Sequence, residues 1–225
     1  YFKDRLARFY GTVVNLAIAN DWMHKNPFAG IRFQEKEVIR EVLTKEEIER
    51  MMCKEFALPR LEYVRDVFIF CVFTGMAYVD VNNLRQEHIV RDNNDDLWIR
   101  KARQKTNNMC NIPLLKIPQL LMEKYKNHPL CTKTGALLPV PSNQKMNSYL
   151  KEIADFCGIQ KNLTTHTARH TFATVVALAN GVSMENIAKM LGHSDIRMTQ
   201  RYAKVMDSSI MRDMENVDKL FKSSE

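Results

Sequence analysis

The chain has 225 residues, 45% hydrophobic and 26% charged, with only seven glycines and seven prolines, the composition of a soluble globular protein. No apolar run approaches the ~18 residues a membrane span needs, and no signal peptide is visible, so no membrane partner is expected. The formal net charge of +7 suits a polyanionic partner, although basic proteins without one are common.

In chain order, residues 1 to about 25 carry apolar side chains at helical spacing (Leu6, Phe9, Tyr10, Val13, Val14, Leu16, Ala17, Ile18), and this helix is expected to end before Asn26-Pro27. Because the chain opens at Tyr1 in what reads as mid-helix, it is expected to be a piece of a longer protein. GIRFQEKEVIREV is charged and weakly periodic, as a linker would be. A new start follows at LTKEEIERM, where Thr44 and Glu47 have the spacing of a capping box. A domain boundary therefore falls near residues 34 to 42 and is placed at 36/37.

LEYVRDVFIFCVFT is apolar almost all round and reads as a buried helix stopped at Gly75. Three strand signals follow, HIVR, DLWIRKA and MCNIPL, separated by the turns DNNDD and KTNN. Helices resume at about 116–126, 143–157, 166–180, 184–191 and 196–205. The stretch SSIMRDMENVDKLF ends the chain with Met211, Met214, Val217 and Leu220–Phe221 on one stripe. The fold class is mostly α with a small antiparallel β-sheet (α+β). Five cysteines (Cys53, Cys71, Cys110, Cys131, Cys157) are odd in number and form no C-x-x-C pair. They read as reduced, mostly buried thiols in a cytoplasmic protein, neither a disulfide framework nor a zinc site.

The last quarter holds the chemistry. HTAR places Arg169 three residues after His166, which puts the two on one face of a helix. LGH ends on His193, and QRYAK brings Tyr202 nine residues later. Read singly, these are a capping histidine, a solvated arginine, a histidine at a helix C-terminus and an amphipathic aromatic. Read together, they are a hydroxyl nucleophile with cationic groups able to hold phosphate oxygens, Arg169 by a planar fork that lysine cannot copy.

This set, in this order and spacing, resembles the catalytic domain of the tyrosine recombinases, the phage and mobile-element integrases. The resemblance covers roughly residues 40 to 206. It implies that Tyr202 is the nucleophile, that Arg169, His166 and His193 hold the scissile phosphate, and that Lys105 in the β-hairpin protonates the leaving 5′ oxygen. It also implies that no cofactor, metal or ATP is needed. FTGMAYVDVNNL matches the family segment that reads T-G-x-R, with Asp80 in place, but the arginine position is Ala77. Loss of such a charged contact costs roughly 10²–10³ in rate at comparable sites. Arg103, two residues before Lys105, would project from the same strand face and could supply the missing charge; Arg85 is a second candidate, and a hairpin that only touches DNA backbone is a third reading.

The resemblance thus implies a DNA strand transferase that cleaves and rejoins duplexes through a 3′-phosphotyrosine and a Holliday junction, integrating and excising a mobile element. Its partners would be double-stranded DNA and further copies of itself, in a tetramer on DNA. Residues 1–36 would end a helical core-binding domain, 37–206 form the catalytic domain, and 207–225 a tail helix packing on a neighbouring copy or back on its own domain. Two alternatives stand beside it. One is a DNA-binding homologue with impaired catalysis, as Ala77 suggests; the other is a strand transferase of the type IB topoisomerase kind.

Overall fold

A computed structural model describes residues 2–28 and 41–203, with side chains from Phe9 in the first stretch and up to Tyr202 in the second. The chain divides into two compact units, residues 1–39 and 40–225. The tail helix expected after residue 206 lies outside the described residues.

In the first unit, helix α1 (Phe2–Ala19) stops short of the expected residue 25. Asp21 takes a left-handed φ of 57°, Trp22 N–H donates to Ala17 O at 2.9 Å and Asp21 N–H to Ile18 O at 3.1 Å. These bonds close the helix by satisfying its last carbonyls, and Asn20 adds a side-chain bond to Leu16 O. The polar pair Asn20-Asp21, rather than Asn26-Pro27, is the stop.

The second unit begins with α2 (Lys45–Cys53), started by the expected capping box: Glu47 N–H donates to Thr44 Oγ1 at 3.3 Å and Thr44 N–H to Glu47 Oε2 at 2.7 Å. Helix α3 (Pro59–Thr74) is the hub. Leu61, Val64, Val67, Phe68, Ile69, Phe70, Cys71 and Val72 are all buried, so it has no solvent face to make it amphipathic. Even its charged residues are inside. Arg65 Nη1 donates to the carbonyls of Met51, Met52 and Lys54 at 2.9–3.0 Å and its Nε to Asp66, while Asp66 accepts from Tyr125 Oη and Lys124 Nζ, each at 2.7 Å. Each buried charge therefore has partners, which is the condition for carrying it at all. Gly75, with φ +67°, ends α3 by donating to Cys71 O.

A short helix α4 (Tyr78–Asn82), not foreseen from the sequence, leads to strands β1 (Ile89–Arg91), β2 (Leu97–Ala102) and β3 (Met109–Pro113). They form one antiparallel sheet in the order β1-β2-β3, with Ile99 opposite Ile112 and Lys101 opposite Cys110. Ile99, Cys110 and Ile112 face the core. Then come α5 (Lys116–Tyr125), a second unforeseen short helix α6 (Pro129–Thr134), α7 (Asn143–Phe156), α8 (Thr165–Thr171), α9 (Met184–Leu191) and α10 (Arg197–Ala203). The class is the expected one, mostly helical with a small antiparallel sheet.

Two local expectations are corrected. The helix expected over 166–180 is three pieces: α8, a wider π turn over Phe172–Ala177, and a 3-10 turn over Leu178–Asn180. The amide of Asn180 donates to Val175 O and Val176 O at 3.1 and 3.0 Å, taking up carbonyls there in place of regular α-helical bonding. Arg103 and Lys105 do not share a strand face either. Strand β2 ends at Ala102, and the next residues turn, with Arg103 N–H donating to Asn108 O and Asn107 N–H to Arg103 O, both at 2.9 Å. Asn107 takes φ 55°, a conformation asparagine tolerates better than most residues. Arg103 points inward, and Lys105 is exposed on the turn.

Candidate active site

Four segments come together around Arg169: the C-termini of α3 and α9, the β2–β3 turn with Arg103, and helix α10 with Tyr202. Arg169 itself is carried by α8, whose start is fixed by Thr164 and Thr167 bonding each other's backbone N–H at 3.2 Å. Thr171 on the same helix accepts from Leu43 N–H at 3.0 Å and so binds α8 to the segment before α2.

Arg169 is only 6% exposed, yet its cation is held by oriented carbonyls. Nη1 donates to Gly75 O at 2.7 Å and Nη2 to Leu191 O at 2.6 Å, and Nη2 lies 3.3 Å from His193 Nε2. Both carbonyls come from helix C-termini, where the helix dipole favours positive charge. These contacts leave Nε–H and one Nη1–H of the five guanidinium donors for an anion. Burial, and after it the charge of Arg103, lowers the Arg169 pKa; a guanidinium still stays charged. Gly75 is required here twice over. Its φ is positive, and a β-carbon would collide with the Phe172 ring and stand 2.8 Å from Leu191 Cδ2.

His193 follows the α9 cap, where Gly192 takes φ +60° and His193 N–H donates to Ala188 O at 2.9 Å. Its Nδ1 is 2.8 Å from Thr199 Oγ1 on α10. Burial, then Arg169 and Arg103, push its pKa down to about 4, so at neutral pH the DNA-free ring is uncharged. Tyr202 is 8% exposed and lies between two histidines. Its ring stacks on His193 with centroids 6.3 Å apart and planes 7° apart, and meets the ring of His170 at 5.1 Å.

Arg103 enters from the hairpin. Its stem lies against Gly192, and its Nε is 3.8 Å from Asp80 Oδ2, with side-chain exposures of 11% and 6%. Asp80 Oδ1 accepts from Gln104 N–H at 3.0 Å, and Asn108 Nδ2 donates to Gly192 O at 3.2 Å, so both sides of the turn are tied down. The Nε of Arg103 is buried without a hydrogen-bond partner among the described residues. Arg85, the other candidate, is engaged elsewhere: its Nη1 donates to Asn82 O and Leu84 O at 3.0 and 3.1 Å, closing α4. Ala77, at the family's arginine position, sits just before α4.

The structure therefore brings together Arg169, His193, Tyr202, Arg103 and Asp80. Lys105 is exposed on the turn next to them, and His166 is exposed in the first turn of α8. Sequence reasoning missed His170, although its position directly after Arg169 in HTARH was a signal, and it missed the polar contact from Thr199. Cys71, Cys110, Cys131 and Cys157 are buried and Cys53 exposed, all as free thiols. Burial pushes the Cys110 thiol, beside Arg103 and Arg169, above its usual value.

The architecture is that of a tyrosine recombinase catalytic domain. It is similar to the Tn1549 transposon integrase in complex with circular intermediate DNA (TM-score 0.70, 17% identity, over 94% of this chain and 77% of that one). It is also similar to lambda integrase, as a dimer bound to a COC′ core site (TM-score 0.66, 18% identity, 86% and 69%). The profile of the phage integrase family matches residues 41–209, and the chain belongs to that family, the tyrosine recombinases. Among curated relatives, tyrosine recombinase XerD of Staphylococcus saprophyticus is 40% identical over 95 residues, 42% of this chain. XerD of Staphylococcus aureus N315 is 42% identical over 71 residues, 32% of this chain. These matches span 31% and 24% of the length of the two relatives.

Proposed function

We propose that this chain carries the strand-transfer centre of a site-specific DNA recombinase. The observation that carries the reading is the placing of Tyr202 against His193, whose Nε2 in turn faces the buried Arg169 fork. Tyr202 Oη gives up its proton to solvent, attacks the scissile phosphorus and becomes joined to the 3′ phosphate, while the bond to the 5′ oxygen breaks. Arg169, His193 and His166 stabilise the charge that grows on the non-bridging oxygens, with Arg103 supplying the second guanidinium and Asp80 orienting it. Lys105 delivers a proton to the leaving 5′ oxygen as general acid. Attack by a 5′ hydroxyl of another duplex on the phosphotyrosine reverses the chemistry and reseals a new strand pair. The bond energy is kept in the phosphotyrosine, so the cycle needs no ATP and no metal ion.

Two such exchanges pass through a Holliday junction, which calls for double-stranded DNA and four copies of the protein, in the cytoplasm. The likeness to the Tn1549 transposon and lambda integrases supports integration and excision of a mobile element as the setting. Residues 1–36 then close the DNA clamp as the end of a core-binding domain, and 207–225 link one copy to the next. One observation favours a second reading, a DNA-binding homologue with impaired catalysis: Ala77 has no side chain to hold phosphate.

One experiment separates the two. The full-length protein is incubated with nicked duplexes carrying candidate recombination sites, in the presence of chelator, and denatured. The expected outcome is a covalent protein–DNA adduct, absent from Tyr202→Phe, with duplex affinity nearly unchanged because phosphate contacts dominate it. Binding without any adduct favours the impaired homologue, and an adduct that persists in Tyr202→Phe places the nucleophile elsewhere. Exchange between two defined sites then distinguishes recombinase from topoisomerase.

A further inference from the structure

The nucleophile helix holds a second polar group turned toward the site. Thr199 lies three residues before Tyr202 and six after His193, fully buried at 0% exposure. Its backbone N–H is spent on Ile196 O at 2.8 Å, while its hydroxyl is 2.8 Å from His193 Nδ1. On the other side of the ring, Nε2 is 3.3 Å from Arg169 Nη2. A guanidinium can only donate, so Nε2 must offer its lone pair, and in the uncharged ring the proton is left on Nδ1, donated to Thr199 Oγ1. The contacts of one imidazole thus fix its tautomer, and the partner of Nδ1 is the helix that carries Tyr202.

We propose that Thr199 is a positioning residue: its hydroxyl pairs His193 Nδ1 in either protonation state and fastens α10 to that ring, so that Tyr202 and His193 are presented to the phosphate as one unit. This rests on the strand-transfer reading above for its consequence in catalysis, but the hydrogen bond itself does not. A phosphate oxygen reaching Nε2 is an acceptor and requires Nε2–H, the opposite of the DNA-free state. A hydroxyl serves both states, accepting from Nδ1–H in one and donating to bare Nδ1 in the other. Valine has the shape of threonine and can do neither, which leaves a buried ring nitrogen unpaired.

The test compares Thr199→Val and Thr199→Ser with the wild type in the full-length protein, by two readouts. Ring ¹H–¹⁵N spectra of His193 in the DNA-free protein report which nitrogen carries the proton and whether that proton is hydrogen-bonded; adduct formation on a nicked duplex, with duplex affinity measured alongside, reports the chemistry. In Thr199→Val the proton should stay on Nδ1 but lose its hydrogen-bonded shift, and adduct formation should fall about tenfold to a hundredfold at near-constant affinity, the range that an unpaired buried polar group produces. Thr199→Ser should restore both. A valine variant with the wild-type Nδ1–H signal and adduct rate overturns the proposal. Should valine prevent folding, serine decides alone: a folded Thr199→Ser with the wild-type Nδ1–H signal and rate upholds it, and one that loses both overturns it. If the wild type forms no adduct, the strand-transfer reading fails, while the Nδ1–H comparison still decides whether Thr199 holds the ring.

Discussion

Arg103 packs its stem so closely on Gly192 that a β-carbon at position 192 would stand 2.7 Å from Arg103 Cδ, and equally close to Cys110 Sγ. The glycine that turns His193 into the site is therefore also the floor on which the hairpin arginine rests. Two costs attach to Gly192→Ala: a left-handed backbone, worth roughly 1–2 kcal/mol, and displacement of Arg103. The variant should unfold at lower denaturant and form adduct poorly. Gly192→Asn separates the two, since asparagine tolerates φ > 0 but still carries the β-carbon. It should recover part of the stability and little of the adduct. Normal adduct formation by Gly192→Ala would sink the idea that this contact positions Arg103.

The pH behaviour of His193 follows from its surroundings. Its folded-state pKa of about 4 lies below the usual 6.5 because burial disfavours the charged ring, with Arg169 and Arg103 adding repulsion. The unfolded chain thus binds the proton first as pH falls. The contribution of the neutral ring to stability is complete above pH 6.5 and is lost as pH drops from there through about 4. Ring NMR should show no titration near neutrality in the DNA-free protein. Arg103→Ala should raise the midpoint by removing one repelling charge, and a bound phosphate should raise it further. A midpoint near 6.5 in the wild type would mean that the ring is not enclosed as described.

Much of this site could be read from the chain, and the unread parts share a physical cause. The capping box at Thr44, the stop at Gly75 and the three strands depend on residues within a few positions of one another, so the sequence pattern carries them. Arg169, His193 and Tyr202 were legible as a spaced set. The turn at Arg103 was not, because strand alternation says nothing about where pairing ends; that is decided by Asn107 taking a left-handed conformation and by bonds between Arg103 and Asn108. His170 and Thr199 escaped because their role is contact with residues 32 and six positions away, and threonine is common on helices for blander reasons. The short helices α4 and α6 have too few residues to show a period at all.

The absent family arginine gives the sharpest prediction. Ala77 leaves Arg169 as one guanidinium where the resemblance implies two, and Arg103 is the cation that the structure directs toward Arg169 and His193, held by Asp80 with its Nε hydrogen unspent. Arg103→Ala should therefore reduce adduct formation by about 10²–10³, the effect of removing a charged donor from comparable transition states. Arg103→Lys should recover little, since a point charge cannot make the forked contact. Asp80→Asn should lie between the wild type and Arg103→Ala, as it loosens the guanidinium without removing it. Arg85→Ala should cost stability through the end of α4 and leave the chemistry of the folded fraction nearly intact, because its Nη1 is held by the carbonyls of Asn82 and Leu84. Introducing Ala77→Arg into the Arg103→Ala background should return part of the lost rate. If Arg103→Ala cleaves at the wild-type rate while Arg85→Ala is dead, the hairpin assignment is wrong and Arg85 must leave its carbonyls on binding DNA. If both variants cleave normally, strand transfer here runs on Arg169 alone, and the pairing of Arg103 with Asp80 serves only to hold the turn.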